Sequence, residues 1–128
     1  MIITIPLKTW SEANTRVHWG TRACRAGKQR GTARLYVAAE MASATADTPT
    51  LNGARIVITL TRIAPRKLDS DNLCGALKAV RDGIADALGI NDGSERVEWK
   101  YSQEPGRHAV RIEIETIRHV ARISAKRR

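Results

Sequence analysis

Apolar and polar positions along the chain predict an alternation of strands and helices. Residues 2–7 (IITIPL) read as a short strand ended by Pro6, at an edge or a strand end. Residues 55–63 (RIVITLTRI) are rich in β-branched side chains and bounded by Gly53 and Pro65, which predicts a second strand. Leu73, Leu77, Val80, Ile84 and Leu88 recur at spacings of four, three, four and four, so one helix is expected over 72–88, ending at Gly89. Val97, Trp99 and Tyr101 alternate with Arg96, Glu98 and Lys100, and Val110, Ile112 and Ile114 alternate with Arg111, Glu113 and Glu115. Strict alternation implies two strands with one buried and one wet face. Glu104, Pro105 and Gly106 between them suggest a turn, hence an antiparallel hairpin.

The first third of the chain is less regular. From Lys8 to about Gly27 no period is sustained, and Arg, Thr and Gly are frequent, so a long basic loop is expected. Leu35, Ala38, Ala39, Met41 and Ala42 favour a modestly amphipathic helix over 29–45, followed by a Thr- and Pro-containing connection through Gly53. The predicted fold class is therefore α/β of the α+β kind: a mixed sheet of about four strands packed with two helices, in one domain spanning 1–128.

Charge changes this picture most. The chain carries 22 Lys and Arg against 13 Asp and Glu, a formal charge of +9. The excess is uneven: residues 69–104 hold eight acids and four bases, while every other part of the chain is net basic. Arg16, Arg22, Arg25, Lys28, Arg30 and Arg34 follow one another without an intervening acid, and the tail at about 118–128 adds Arg118, Arg122, Lys126, Arg127 and Arg128. Such runs suit a polyanion, because each cation near a phosphate releases condensed counterions. The bland alternative is a solvated, solubilising surface with a disordered tail.

No stretch approaches the roughly 18 uncharged apolar residues that a bilayer span needs, and no signal-peptide pattern opens the sequence, so a soluble, cytoplasmic protein is expected. Cys24 and Cys74 have no companions at metal spacing and read as reduced, partly buried thiols. With three Trp, two Tyr and no Phe, a surface that stacks many bases is not expected.

The acids of the 69–104 region carry the candidate chemistry. Asp69 and Asp71 lie two residues apart, between a strand and a helix; in an extended segment their side chains would point the same way, toward one ion. Asp92 offers a third carboxylate beyond the helix, in the turn Ile90-Asn91-Asp92-Gly93. Three such groups suit Mg²⁺, with Mn²⁺ as an alternative ion, and the ion could lower the pKa of an attacking water at a phosphodiester. The structural alternative is that Asp71 caps the helix, that Asp69 or Ser70 bonds the same free amides, and that Asp92-Gly93 is ordinary turn chemistry. Lys78 lies two helical turns beyond Asp71 at nearly the same azimuth; it could contact a phosphate, or pair with Asp82 at i+4.

The run Leu68-Asp69-Ser70-Asp71-Asn72-Leu73, with Lys78-Ala79-Val80-Arg81-Asp82-Gly83-Ile84 and Ile90-Asn91-Asp92-Gly93, resembles the RusA family of Holliday junction resolvases. That family's pattern is D-x-D-N-L, a Lys-containing helix, and an Asp-Asp pair before a strand. The specific likeness covers residues 66–101. Here Asn91-Asp92 stands where two acids are usual, and Lys78 lies about one helical turn farther from the D-x-D motif than is usual. The resemblance implies a homodimeric, Mg²⁺-dependent endonuclease that nicks two opposing strands of a four-way DNA junction, in recombination and repair, in a bacterial or prophage setting. By position it assigns Asp69, Asp71 and Asp92 to metal binding and catalysis, and Lys78 to catalytic assistance. Nucleic-acid contacts are expected from Arg16, Arg22, Arg25, Lys28, Arg30, Arg34, Arg66, Lys67 and Asn72. The alternative is a non-catalytic DNA- or RNA-binding module.

Overall fold

The computed structural model describes residues 1–10, 19–43, 55–91 and 93–117. Arg16, Asp92 and the tail from Arg118 to Arg128 lie outside the described residues. In chain order the elements are β1 (Ile2–Ile5), α1 (Trp19–Ala42), β2 (Arg55–Ala64), α2 (Ser70–Ala76), α3 (Lys78–Leu88), β3 (Val97–Pro105) and β4 (Ala109–Ile117). The four strands form one mixed sheet in the order β1-β4-β2-β3.

The ten-residue β2 is central, and seven of its residues are buried. It runs antiparallel to β4, with Ile58 opposite Ile114, and parallel to β3, with Ile58 opposite Trp99. A parallel neighbour needs a long crossover, and α2 and α3 supply it. Ile56, Ile58 and Leu60, with Val110, Ile112 and Ile114 from β4 and Ile3 and Ile5 from β1, form the sheet side of the core. Ala33 and Val37 of α1, Leu73 and Leu77, and Val80, Ile84 and Leu88 of α3 close it.

The hairpin expected between β3 and β4 does not form. Alternation fixes which face a strand buries but not which strand it bonds to, and both strands pair with β2, on its opposite edges. The chain crosses the end of β2 through residues 106–108. Gly106 sits at φ 154° and donates its N–H to Ala64 O, and a Cβ there would come within 2.8 Å of Ile63 Cγ2. Glycine is what lets the link pass this close.

The expected basic loop is helical from Trp19 onward. Arg22, Arg25, Lys28, Arg30 and Arg34 therefore project from α1, which begins ten residues before the predicted start and stops at Ala42. The reason is visible in its burial: only Gln29, Ala33 and Val37 are buried, all in the C-terminal two-thirds, so the first turns carry no apolar stripe to read. The predicted 72–88 helix starts at Ser70 and breaks at Leu77, giving three helices in place of two. Leu77 lies at φ −100°, ψ 1°, and its N–H reaches both Leu73 O and Cys74 O. Arg81 N still bonds Leu77 O, so the buried stripe runs through the break and its spacing survives. Cys24 and Cys74 are free and exposed, not partly buried.

The two long helices meet at close range. A Cβ on Gly83 would lie well under 3.0 Å from Arg30 O and 3.0 Å from Ala33 Cβ. Beside this crossing Arg30 grips Asp86 with two bonds, Nε to Oδ2 at 2.6 Å and Nη2 to Oδ1 at 2.9 Å. That hydrogen-bonded guanidinium, with the charges of Arg30 and Arg34, holds the Asp86 carboxyl below the usual carboxylate range.

Candidate functional site

The acidic motif stands where the core strand β2 hands over to α2. Pro65 ends the strand run, since it cannot donate to a ladder, and Arg66 and Lys67 follow it exposed to solvent. Two side chains from the sheet hold this connection. Arg62, buried at the end of β2, donates through Nε to Thr9 Oγ1 (3.0 Å) and through Nη1 to Arg66 O (2.8 Å). Burial lowers its pKa, and the two acceptors compensate the guanidinium. Gln103 of β3, the register partner of Arg62, accepts from Leu68 N–H at 2.9 Å and donates to Leu68 O at 2.6 Å.

Asp69 comes next, with extended backbone (φ −72°, ψ 168°), and it is the residue that caps α2. Its Oδ1 accepts from Asn72 N at 3.0 Å and its carbonyl from Leu73 N at 2.9 Å. The structural alternative is met at Asp69, which bonds a free amide as it allowed, while the cap it placed at Asp71 lies two positions earlier. Asp71 lies in the first turn of α2, where a carboxylate is favoured by the unpaired amides, so the extended-strand argument for two parallel carboxylates does not hold. Both acids are nonetheless exposed and two residues apart in the chain. Just before them in the chain, Arg66 and Lys67, with Gln103 and Glu104 of β3, line a recess of about 200 Å³. Glu104 faces across β2 to Arg111, and this ion pair holds the Glu104 carboxyl below its usual range.

Asp92 lies outside the described residues. The turn around it begins where Gly89 ends α3 in the left-handed region (φ 66°), and Asn91 Oδ1 accepts from Gly93 N at 2.9 Å. Among the described residues no group of three His, Cys, Asp or Glu could hold a metal ion. Asp69 and Asp71 carry hard carboxylate oxygens, the donor type that Mg²⁺ takes.

Lys78 opens α3, and its Nζ lies 2.7 Å from Asp82 Oδ1, the i+4 pairing that the sequence offered as the structural alternative. Its side chain is 61% exposed, and with Arg22, Gln29, Asp82 and the small residues Ala23 and Gly75 it lines a groove of about 350 Å³ between α1 and the α2–α3 pair. The remaining basic residues of α1 are divided. Arg25 stacks 4.2 Å from the Trp10 ring, over which Lys8 also lies at 5.2 Å. Arg30 is engaged by Asp86, whereas Arg22, Lys28 and Arg34 are exposed. At about 100° per residue Lys28 points well away from Arg22, so the cations ring the helix and do not share one face.

No family model matches this chain, and no curated protein does. The likeness to the RusA family rests on the motif residues themselves.

Sequence reasoning missed Arg62, Gln103 and Arg81. Arg81 lies 4.6 Å from the Trp99 ring and donates to Tyr101 Oη at 2.9 Å. A signal for the first two existed. Arg62 continues the inward series Ile56, Ile58, Leu60, and Gln103 continues Val97, Trp99, Tyr101, so each is a polar residue at an apolar-parity position. Such residues are kept only where they find partners.

Proposed function

We propose that this protein is a Mg²⁺-dependent endonuclease of branched DNA, acting on four-way junctions as a homodimer. The observation that carries this reading is the exposure of Asp69 and Asp71 at the β2–α2 junction, directly after the exposed cations Arg66 and Lys67. Acids placed at the surface of a basic chain next to exposed cations suit phosphodiester chemistry.

In this reading Arg66 and Lys67 bind the phosphates flanking the scissile bond and Lys78, across the groove from Arg22, binds the strand beyond. Asp69, Asp71 and Asp92 would hold Mg²⁺, which when bound supplies charge neutralisation and a more acidic water. Asp69 is oriented by its cap bond to Asn72 N, so its second oxygen is presented in a fixed direction. A junction with two-fold symmetry takes two cuts, which two subunits about a two-fold axis would deliver at matching strands.

A second reading has its own support: Asp69 does cap a helix and Lys78 does pair with Asp82, as in a binding module without catalysis. Incubation with a synthetic four-way junction and Mg²⁺ separates the two. Paired symmetric nicks that disappear in Asp71→Asn, with junction binding retained, support the nuclease. Tight binding without Mg²⁺-dependent nicking establishes the module.

A further inference from the structure

β2 and β3 run parallel with Ala64 opposite Pro105, so their carboxyl ends open on the same side of the sheet. Crevices outside the carboxyl ends of parallel strands are where open sheets take ligands. The recess of about 200 Å³ lies there. Part of its wall is apolar for a chemical reason. Pro65 and Pro105 carry no N–H, Ala64 O already accepts from Gly106 N at 3.2 Å, and Arg66 O already accepts from Arg62 Nη1 at 2.8 Å. Two exposed proline rings and the Ala64 methyl group are left facing a space whose rim carries the exposed cations Arg66 and Lys67. Glu104 also lines it, and its carboxylate is engaged by Arg111. The bonds of Arg62 to Arg66 O and of Gln103 to both backbone groups of Leu68 hold this shape in place.

Resting on the nucleic-acid side of the nuclease reading, and needing no metal ion, we propose that this recess holds one unpaired nucleotide, its base against Pro65 and Pro105 and its phosphate on Arg66 or Lys67. A bare anion would leave the apolar wall unused, and an apolar group would leave the cations unused; a nucleotide brings both. A cavity of about 150 Å³ accepts a benzene ring. The recess therefore admits one base and not a stacked run.

The test is fluorescence anisotropy of the full chain, without Mg²⁺, on two labelled single strands of equal length, oligothymidylate and an abasic strand with the same phosphates. A four-way junction is titrated alongside. Wild type is expected to bind oligothymidylate about fivefold more tightly than the abasic strand, the lower end of what stacking one base contributes. Pro65→Ser and Pro105→Ser should each bring that ratio close to one and leave the abasic affinity unchanged, and because the two prolines end different strands, either variant serves if the other fails to fold. Lys67→Ala should weaken both strands equally and keep the ratio. Equal wild-type affinities for the two strands overturn the proposal and leave the nuclease reading in place, as does binding of the junction but of neither strand. An undiminished ratio in a folded proline variant overturns it too, because the base would then lie elsewhere, for instance on the exposed Trp19. If wild type binds neither the strands nor the junction, the nuclease reading falls and the proposal with it.

Discussion

Gly83→Ala probes the α1–α3 contact on which the candidate groove depends. In an ordinary helix interior this change gains about 0.5–1 kcal/mol, because alanine has less conformational freedom to lose. Here the new methyl group meets the backbone carbonyl of Arg30 well inside 3.0 Å, and a carbonyl in mid-helix cannot rotate aside as a side-chain tip could. The helices must separate, and overpacking of this kind costs about 1–3 kcal/mol. Subtracting the propensity gain leaves a net loss of roughly 0–2.5 kcal/mol, with a middle value of about 1 kcal/mol. For a chain of this length a loss of about 1 kcal/mol lowers the melting temperature by roughly 3–6 °C. Gly27→Ala and Gly31→Ala are the matched controls, since both lie in α1 with nothing within 4 Å of the added methyl group. They should melt a few degrees above wild type. Circular dichroism melts of the three variants decide the matter. A Gly83→Ala protein as stable as its Gly31→Ala counterpart would refute the close crossing, and with it the groove geometry.

Three further expectations follow from named contacts. Asp69→Ala removes the α2 cap and should cost about 0.5–2 kcal/mol in denaturant unfolding, whereas Asp69→Asn keeps a capping oxygen and should leave stability nearly unchanged while abolishing Mg²⁺-dependent cutting. Equal stability of the alanine variant and wild type would remove the cap from the account. The depressed carboxyls of Asp86 and Glu104 contribute stability that is present above the ordinary carboxylate pKa, near pH 4, and is lost as pH falls through their lower folded values. Asp86→Asn should therefore flatten the acid limb of the stability–pH curve, and an unaltered limb would show that the Arg30 pair does not contribute. Junction affinity should fall steeply between low and high salt, with a slope of roughly −0.9 per neutralised phosphate on a log–log plot; a slope near zero excludes phosphate contacts.

The elements that could be read from the sequence are those whose burial is periodic. β2, β3, β4 and the Leu73–Leu88 stripe present bulky apolar residues at regular parity, so their positions and buried faces match expectation. What could not be read are partnerships. Nothing in the alternation of Val97–Tyr101 and Val110–Ile114 states that each bonds β2 in preference to the other, and the turn chemistry at 104–106 misdirects, because the same Gly106 serves a crossing over a strand end. The first turns of α1 were hidden for a different reason. They are held by the Trp10–Arg25 stack, and the turn after them by a bond from Gln29 to Lys8 O, contacts that leave no hydrophobic period. At the site, the extended segment expected to carry both Asp69 and Asp71 gives way to helix at Ser70, and the choice of capping residue turned on backbone angles that no spacing encodes.

Charge is sorted between the two faces of the sheet in a way the linear segments conceal. By parity, Glu98, Glu104, Glu113 and Glu115 lie on the face opposite the core together with Arg55, Lys100 and Arg111. Several of them pair there, Arg111 with Glu104 and both Arg55 and Lys100 with Glu98. Acids therefore balance bases on that face, and the excess positive charge among the described residues belongs mainly to α1 and to the β2–α2 and strand-end loops. On the nuclease reading, a polyanion attracted by that excess meets exposed cations of α1 and of the β2–α2 connection, where Arg66 and Lys67 shortly precede Asp69 and Asp71 in the chain. The prediction separates the faces: Lys100→Glu should change junction affinity much less than Lys67→Glu, although both alter the net charge equally. Filter-binding titrations at one fixed salt concentration measure this. Equal losses would mean that only the total charge matters, and that the placement of cations beside the two aspartates plays no part in binding.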